Sequence, residues 1–479
     1  MSLVRYHEPA GQWVLLATVL GSGMALIDAT VVNIALPRIG AQFGANAAAL
    51  QWTVNGYTLP LAALILLGGS LGDRFGRRRV FVVGVTWFAV ASLLCGLAPN
   101  VAVLIAARAL QGIGGALLTP GSLSILQSAF APEDRSRAIG AWSGLGGIAG
   151  AAGPFLGGWL IQVASWRLAF GINVPIAAIV VAVALRHVPE SSDPEATRRI
   201  DVSGALSGAL GLGAVTYGFI AWPTRGPTDP VVLAALTAGI AGMIGFVVVE
   251  HRSSHPMLPL RIFRSRAFSA TNLVTFVVYA AIGGVFFFLV ITLQVVAGFS
   301  PLAAGISPLP VTVLMLVLSP RSGALAERIG PRIPMSVGPL VCAVGVGLLA
   351  GVGPGASYAR DVLPGILVFG LGLSLTVAPL TATALASADD RHAGIASGVN
   401  NAVARAAGLM AVAVLPLAAG VGSSLIDPVT LGPAHRTSML ICAGLLAAGG
   451  VLAALTIPSS LAAVRPARVA RLDRPRPAA

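Results

Sequence analysis

A chain of 479 residues is long enough for two or three soluble domains, but with 56% apolar and 10% charged residues it has too little polar surface to cover them. Its mean hydropathy of +0.88 makes lipid the solvent for most of that surface. The formal net charge of +13 does not point to nucleic acid, because the cations, all 30 of them arginine, sit in short breaks between apolar runs.

A helix that crosses a bilayer needs about 20 mostly apolar residues. Runs of that kind occur at 13–36, 50–72, 80–98, 101–127, 138–162, 168–187, 202–222, 230–250, 267–297, 301–320, 333–353, 362–387, 393–420 and 437–458. The expected class is therefore an all-α integral membrane protein with 14 transmembrane helices. Arg5 ahead of the first run resembles the start of a signal peptide, but Asp28 interrupts the run and no small-residue cleavage site follows. It reads as a retained first span. The ninth and thirteenth runs are long enough to be tilted or broken. The three cysteines, Cys95, Cys342 and Cys442, lie far apart inside apolar runs, with neither disulfide nor metal spacing.

An even number of spans puts both termini on one side. If that side is the cytoplasm, its loops and tails hold 23 arginines, whereas the opposite loops hold five: Arg38, Arg167, Arg225, Arg360 and Arg436. Arg108 and Arg405 fall inside spans. This asymmetry fits the positive-inside rule, with both ends cytoplasmic. Arginine without lysine, together with heavy Ala and Gly usage, suggests a GC-rich bacterial genome and hence a bacterial cytoplasmic membrane. The Arg- and Pro-rich tail at 459–479 is expected to be disordered, cytoplasmic and drawn to the anionic leaflet.

The chain also repeats itself. After the second span, Gly69, Asp73, Arg74, Gly76 and Arg78 match Gly323, Glu327, Arg328, Gly330 and Arg332 after the tenth, at a constant offset of 254. The same offset pairs Arg137, Gly140, Ser143 and Gly144 with Arg391, Gly394, Ser397 and Gly398. Two matches in one register imply two related six-helix halves, at 1–187 and 267–458. Because the offset spans eight helices, the seventh and eighth form an inserted central pair within 188–266. Paired halves around a central cavity are a recurring transporter design.

Four motifs carry a family resemblance. The first span holds Leu26-Ile-Asp28-Ala-Thr30-Val-Val-Asn33-Ile-Ala-Leu-Pro37, and the loop after the second holds Gly69-Ser-Leu-Gly-Asp73-Arg74-Phe-Gly76-Arg77-Arg78. The fourth holds Arg108-Ala-Leu-Gln111-Gly112-Ile-Gly114-Gly115, and the fifth holds Gly147-Ile-Ala-Gly150-Ala-Ala-Gly153-Pro154-Phe-Leu-Gly157-Gly158. Trp166-Arg167 and Asn173-Val-Pro175 follow at the sixth. In this order the motifs resemble the major facilitator superfamily, and within it the fourteen-helix drug:proton antiporter family. The resemblance implies export of drugs, antiseptics or antibiotics in exchange for protons by alternating access. It implies a proton gradient rather than a cofactor, a small lipophilic or cationic substrate, the lipid bilayer as surroundings, and a monomer. Export of an endogenous metabolite is the alternative, with proton-coupled import behind it.

Asp28 is the one carboxylate well inside a span, where a charge costs about 2.5–3.5 kcal/mol at the helix centre. It reads either as the proton and substrate acceptor or as a structural tie from the first helix to a neighbour. Arg108 is its natural partner, as a coupling group or as half of a static ion pair, and Gln111 lies one turn along. The resemblance places Asn33 in the same cavity. Arg405 has no acidic residue in its own span, so it either meets a substrate anion or anchors on backbone carbonyls. The cluster Gly69, Asp73, Arg74, Gly76, Arg77 and Arg78, with Glu327 and Arg328 in the second copy, is by resemblance a cytoplasmic gate; Pro331 weakens the second copy. The glycines of the fifth span give a flat packing face and Pro154 a kink, and the resemblance ties this motif to exporters. Trp52, Asn55 and Tyr57 read as an outer-cavity lining or as interfacial belt residues.

No catalytic constellation appears. The six histidines (His7, His187, His251, His255, His392 and His435) are assigned to loops or tails without metal spacing, and there is no phosphate-binding loop. No loop is long enough to hold a receptor's soluble domain.

Overall fold

The computed structural model describes residues 3–193, 201–253, 255–387 and 393–460. Sixteen α-helices follow one another: α1 Pro9–Phe43, α2 Ala47–Phe75, α3 Arg77–Leu97, α4 Val101–Ala129, α5 Pro132–Val163, α6 Trp166–Gly171, α7 Asn173–His187, α8 Val202–Arg225, α9 Pro230–Arg252, α10 Arg266–Val295, α11 Pro301–Ile306, α12 Leu309–Ile329, α13 Arg332–Leu349, α14 Leu363–Ala386, α15 Ala393–Ala418 and α16 Pro428–Thr456. Since α6 runs into α7 and α11 into α12, they supply 14 helices long and apolar enough to cross a membrane. The expected tail from residue 461 onward, Arg391 and His392 lie outside the described residues.

The breaks fall elsewhere than run length suggests. The ninth and thirteenth spans, α10 and α15, are continuous, whereas the sixth is interrupted at Ile172 and the tenth at Ser307-Pro308. At the second break Pro308 has no N–H to donate, and Ala303 O accepts from both the backbone N–H (3.1 Å) and the hydroxyl (2.7 Å) of Ser307. Helices start where short polar residues free the chain from water. Asn46, Asn100, Ser265 and Asp427 accept the first free N–H groups of α2, α4, α10 and α16. Several helices run past the apolar core, which corrects one assignment. His435 lies inside α16, fully buried, with Nε2 3.0 Å from Leu349 O, and His187 and His251 also belong to helices.

Helices α1–α7 pack among themselves, as do α10–α16. Helices α8 and α9 pack face to face and α8 rests on both α2 and α15. With no water to drive apolar faces together, close packing depends on small residues. A Cβ on Gly211 would sit 2.8 Å from Met243 N, and one on Gly239 2.6 Å from Val215 N, so these glycines set the α8–α9 spacing.

In α13, a Cβ on Gly345 would collide with the backbone of Phe369 in α14, whereas one on Gly347 meets nothing within 4 Å. Gly345→Ala is expected to cost about 1–3 kcal/mol by overpacking, lowering the detergent-solubilised protein's Tm, with Gly347→Ala neutral or slightly stabilising. Equal Tm values for the two variants would contradict the packing described.

Candidate functional site

Gly112 of α4 and Gly56 of α2 bring these helices into contact: a Cβ on Gly112 would sit 2.5 Å from Pro60 Cγ, and one on Gly56 3.2 Å from Ile105 O. This approach sets the Tyr57 ring under the Arg108 guanidinium, 4.4 Å from Cζ to ring centroid. Arg108 is 1% exposed and Asp28 on α1 is 2% exposed, so neither charge reaches solvent. They meet directly, with Arg108 Nη1 2.5 Å from Asp28 Oδ2.

The remaining polar atoms close a network. Gln111 Nε2 donates to Asp28 Oδ1 (2.7 Å) and to Ser92 Oγ on α3 (2.7 Å), while Gln111 Oε1 accepts from Arg108 Nη1 (2.6 Å). Asn173, the first residue of α7, donates to Asp28 Oδ1 at 3.4 Å and to Ser92 Oγ at 3.2 Å. Arg108 Nε donates to Thr53 O on α2 (3.1 Å). Both carboxylate oxygens are thus occupied, and five helices converge on one buried charge pair. The gap beside Asp28, lined by Val31, Val32, Ala35, Ala169 and Phe170, has no space for a water molecule. A proton on Asp28 would remove the ion pair and make one oxygen a donor, leaving Arg108 its bonds to Thr53 O and Gln111 Oε1.

Asn33 is not part of this network. It is half-buried five residues further along α1, with Oδ1 unpartnered, beside Ile34, whose carbonyl accepts from Gln294 Nε2 of α10 (3.1 Å). That bond belongs to a seal between the halves. Ala47 N donates to Ser423 O (2.8 Å), Gln51 Nε2 to Val412 O (2.7 Å) and Asn55 Nδ2 to Leu409 O (3.3 Å). Among the described residues, every hydrogen bond joining α1–α7 to α10–α16 lies at this end.

The fifth-span motif divides along its length. A Cβ on Gly153 would sit 2.7 Å from Thr30 Oγ1 of α1, Gly157 abuts Val31, and a Cβ on Gly158 would sit 2.8 Å from Leu302 Cα of α11. Pro154 O faces Gly305 of α11, 2.7 Å from where its Cβ would be. Gly147 and Gly150, with Gly140 and Gly144 below, meet nothing within 4 Å. One half of the motif closes the seal and the other borders open space toward the end that carries Arg74, Arg77, Arg78 and Arg79.

At that end the gate residues are bound within their own half. Asp73 pairs with Arg77 (2.8 Å). Arg78 N donates to Glu190 Oε1 (3.1 Å) and Arg78 Nη1 to Val188 O (3.1 Å), while Arg77 N donates to Ser191 O (2.8 Å). Gly76 has φ +107°, a backbone conformation that favours glycine, and a Cβ there would sit 2.6 Å from Glu190 Oε1, so a side chain would also displace that carboxylate. Gly69 lies against Pro120, and Arg74 stacks on Phe75 (4.7 Å). Glu327 and Arg328 end α12 without an ion pair among the described residues. Arg405 lies half-buried on α15, one turn from Leu409.

Sequence reasoning missed Ser92, Thr53 and Glu190 and quoted Asn173 without a role. Trp52 is half-buried and meets Tyr217 of α8 (6.5 Å), whereas Asn55 and Tyr57 are buried in the seal and the network.

Comparison with known proteins agrees with this architecture. The Major Facilitator Superfamily profile matches residues 18–413. The multidrug resistance protein Stp of Mycobacterium tuberculosis (strain CDC 1551 / Oshkosh) is 37% identical, covering 81% of this chain and 72% of its own. The tetracenomycin C resistance and export protein of Streptomyces glaucescens is 37% identical over 85% of this chain and 77% of its own. A crystal structure of a bacterial homolog to the human lysosomal transporter Spinster, inward-facing and unoccupied, shares the fold at TM-score 0.64 and 18% identity, covering 98% of this chain and 100% of that one. The chain is a multi-pass transporter that belongs to the Major Facilitator Superfamily, within its fourteen-helix branch of drug-resistance and export proteins.

Proposed function

We propose that this transporter exports drug-like or antibiotic molecules from a bacterial cell in exchange for protons, with Asp28 as the proton carrier. The observation that carries the reading is the Asp28–Arg108–Gln111 network, which holds the one deep carboxylate against a guanidinium in a water-free site. Protonation of Asp28 breaks its ion pair, and that pair joins α1 to α4. The same pair also bears on α2, because Arg108 holds the Thr53 carbonyl and the Tyr57 ring.

The arginine-rich end is assigned to the cytoplasm, together with both termini, by the positive-inside rule. On that assignment the seal of Gln51, Asn55 and Gln294 faces outward, and the open flank of α5 faces the cytoplasm. The conformer is then inward-open, and the loop at Asp73 is a gate released from the second half. The resistance and export relatives support efflux over uptake.

Two outcomes test the mechanism. In proteoliposomes with an imposed proton gradient, Asp28→Asn is expected to lose uphill drug transport while keeping downhill exchange of the same drug. Retained uphill transport would sink the role of Asp28, and retained exchange shows that the variant is folded. For alternating access, a disulfide between Asn55→Cys and Leu409→Cys is expected to halt transport, with activity restored by reductant. Undiminished transport in the oxidised protein would mean that the seal does not open.

A further inference from the structure

Asp28 is committed to Arg108, so the deep carboxylate is not free to attract a cation. Glu250 is buried but sits two residues from the end of α9, where Oε2 accepts from Leu258 N (2.9 Å). Arg405 has the opposite situation. Among the described residues it makes no hydrogen bond, ion pair or ring contact, although it lies twelve residues inside α15. Its position is fixed by its neighbours. Asn400 Nδ2 donates to Asn272 Oδ1 (3.2 Å) and Thr275 Oγ1 (2.9 Å) of α10, and Gly408 backs onto Gly283 of the same helix. One turn beyond, Leu409 O takes part in the seal with Asn55. Tyr57 of α2 and Tyr279 of α10 both lie within electrostatic reach of the guanidinium. Arg405 therefore stands where α2, α10 and α15 converge, immediately inside the seal, with a half from each side of the protein around it.

Of the two arginines deep in the spans, Arg108 is paired with Asp28, whereas Arg405 has no ion pair among the described residues. An unpaired guanidinium at bilayer depth is costly unless it faces water or an anion, and its planar donors match an oxyanion bidentately. Among the described residues no carboxylate pairs with it. The Tyr57 ring is already covered by Arg108, which leaves Tyr279 of α10 as the tyrosine available to a flat ring system.

We infer that Arg405 is the recognition group for the exported molecule, and that this molecule is an aromatic compound bearing an ionised acidic group such as a carboxylate or phenolate. The inference rests on the efflux reading above and gives it a substrate class. Anion selectivity also explains why the interior carries a second arginine with no second carboxylate.

Fluorescein and rhodamine 6G share a xanthene ring and differ in the sign of their charge, so they test the assignment in proteoliposomes of the full chain under a proton gradient. The wild type is expected to transport fluorescein. Arg405→Gln should lower that transport about tenfold, the loss of one charge-assisted contact, and leave any rhodamine 6G transport unchanged. Arg405→Lys should keep part of it, since the charge stays and the fork is lost. Equal losses for both dyes in Arg405→Gln, or none for fluorescein, would overturn the assignment. A wild type that moves rhodamine 6G but not fluorescein would overturn it too, while leaving proton-driven efflux standing; one that moves neither would overturn both. A measurement that needs no variant is fluorescein anisotropy on the purified wild type. Competition by benzoate and not by benzylamine supports the assignment, and the reverse order refutes it.

Discussion

A carboxylate and a guanidinium locked together where no water enters constrain everything around them. Either ion alone would be an uncompensated charge at bilayer depth, and removing one partner of a buried pair typically costs about 3–5 kcal/mol. The pair is tolerated because both ions keep further partners: Gln111 and Asn173 on one carboxylate oxygen, Thr53 O and Gln111 Oε1 on the guanidinium. Helices α1, α2, α3, α4 and α7 are held to one arrangement by a single ionic bond and its hydrogen bonds. A proton is the smallest species able to dissolve that arrangement.

The seal and the opening follow from the same economy of side chains. At one end glycines at 153, 157 and 158 allow α5 to lie against α1 and α11, and side-chain amides from Gln51, Asn55 and Gln294 hold backbone carbonyls across the divide. Such bonds add a side-chain donor to a backbone carbonyl, so they are made and lost without unravelling a helix. At the other end the glycines of α5 have no partner. The motif is one continuous helix face, and only its upper half is engaged.

Much of this was legible beforehand because membrane proteins write their spans in hydropathy and their sidedness in arginine. The rarity of buried charge made Asp28, Arg108 and Gln111 conspicuous, and the structure brings these three together. Asn33 shares their motif, yet five residues of helix carry it to another face. Ser92 and Thr53 left no signal, since lone hydroxyl residues are common in apolar helices and usually bond to their own backbone, as Thr18, Thr271 and Thr275 do here. Thr53 contributes its carbonyl, which no sequence pattern marks. Glu190 belongs to no motif, and only the fold brings it beside Gly76. The breaks at Ile172 and Ser307-Pro308 leave no mark in run length, because the apolar run continues through both of them.

Helix α8 touches both α2 and α15, the two helices that meet along one side of the divide between the halves, and Trp52 and Tyr217 fill the join. Among the described residues, the opposite side, where α5 faces α11 and α12, carries no such cover. The protein is therefore lopsided with respect to the surrounding lipid. One flank of the divide is walled from lipid by the inserted pair, whereas among the described residues the glycine-rich flank of α5 has no second layer of helices over it.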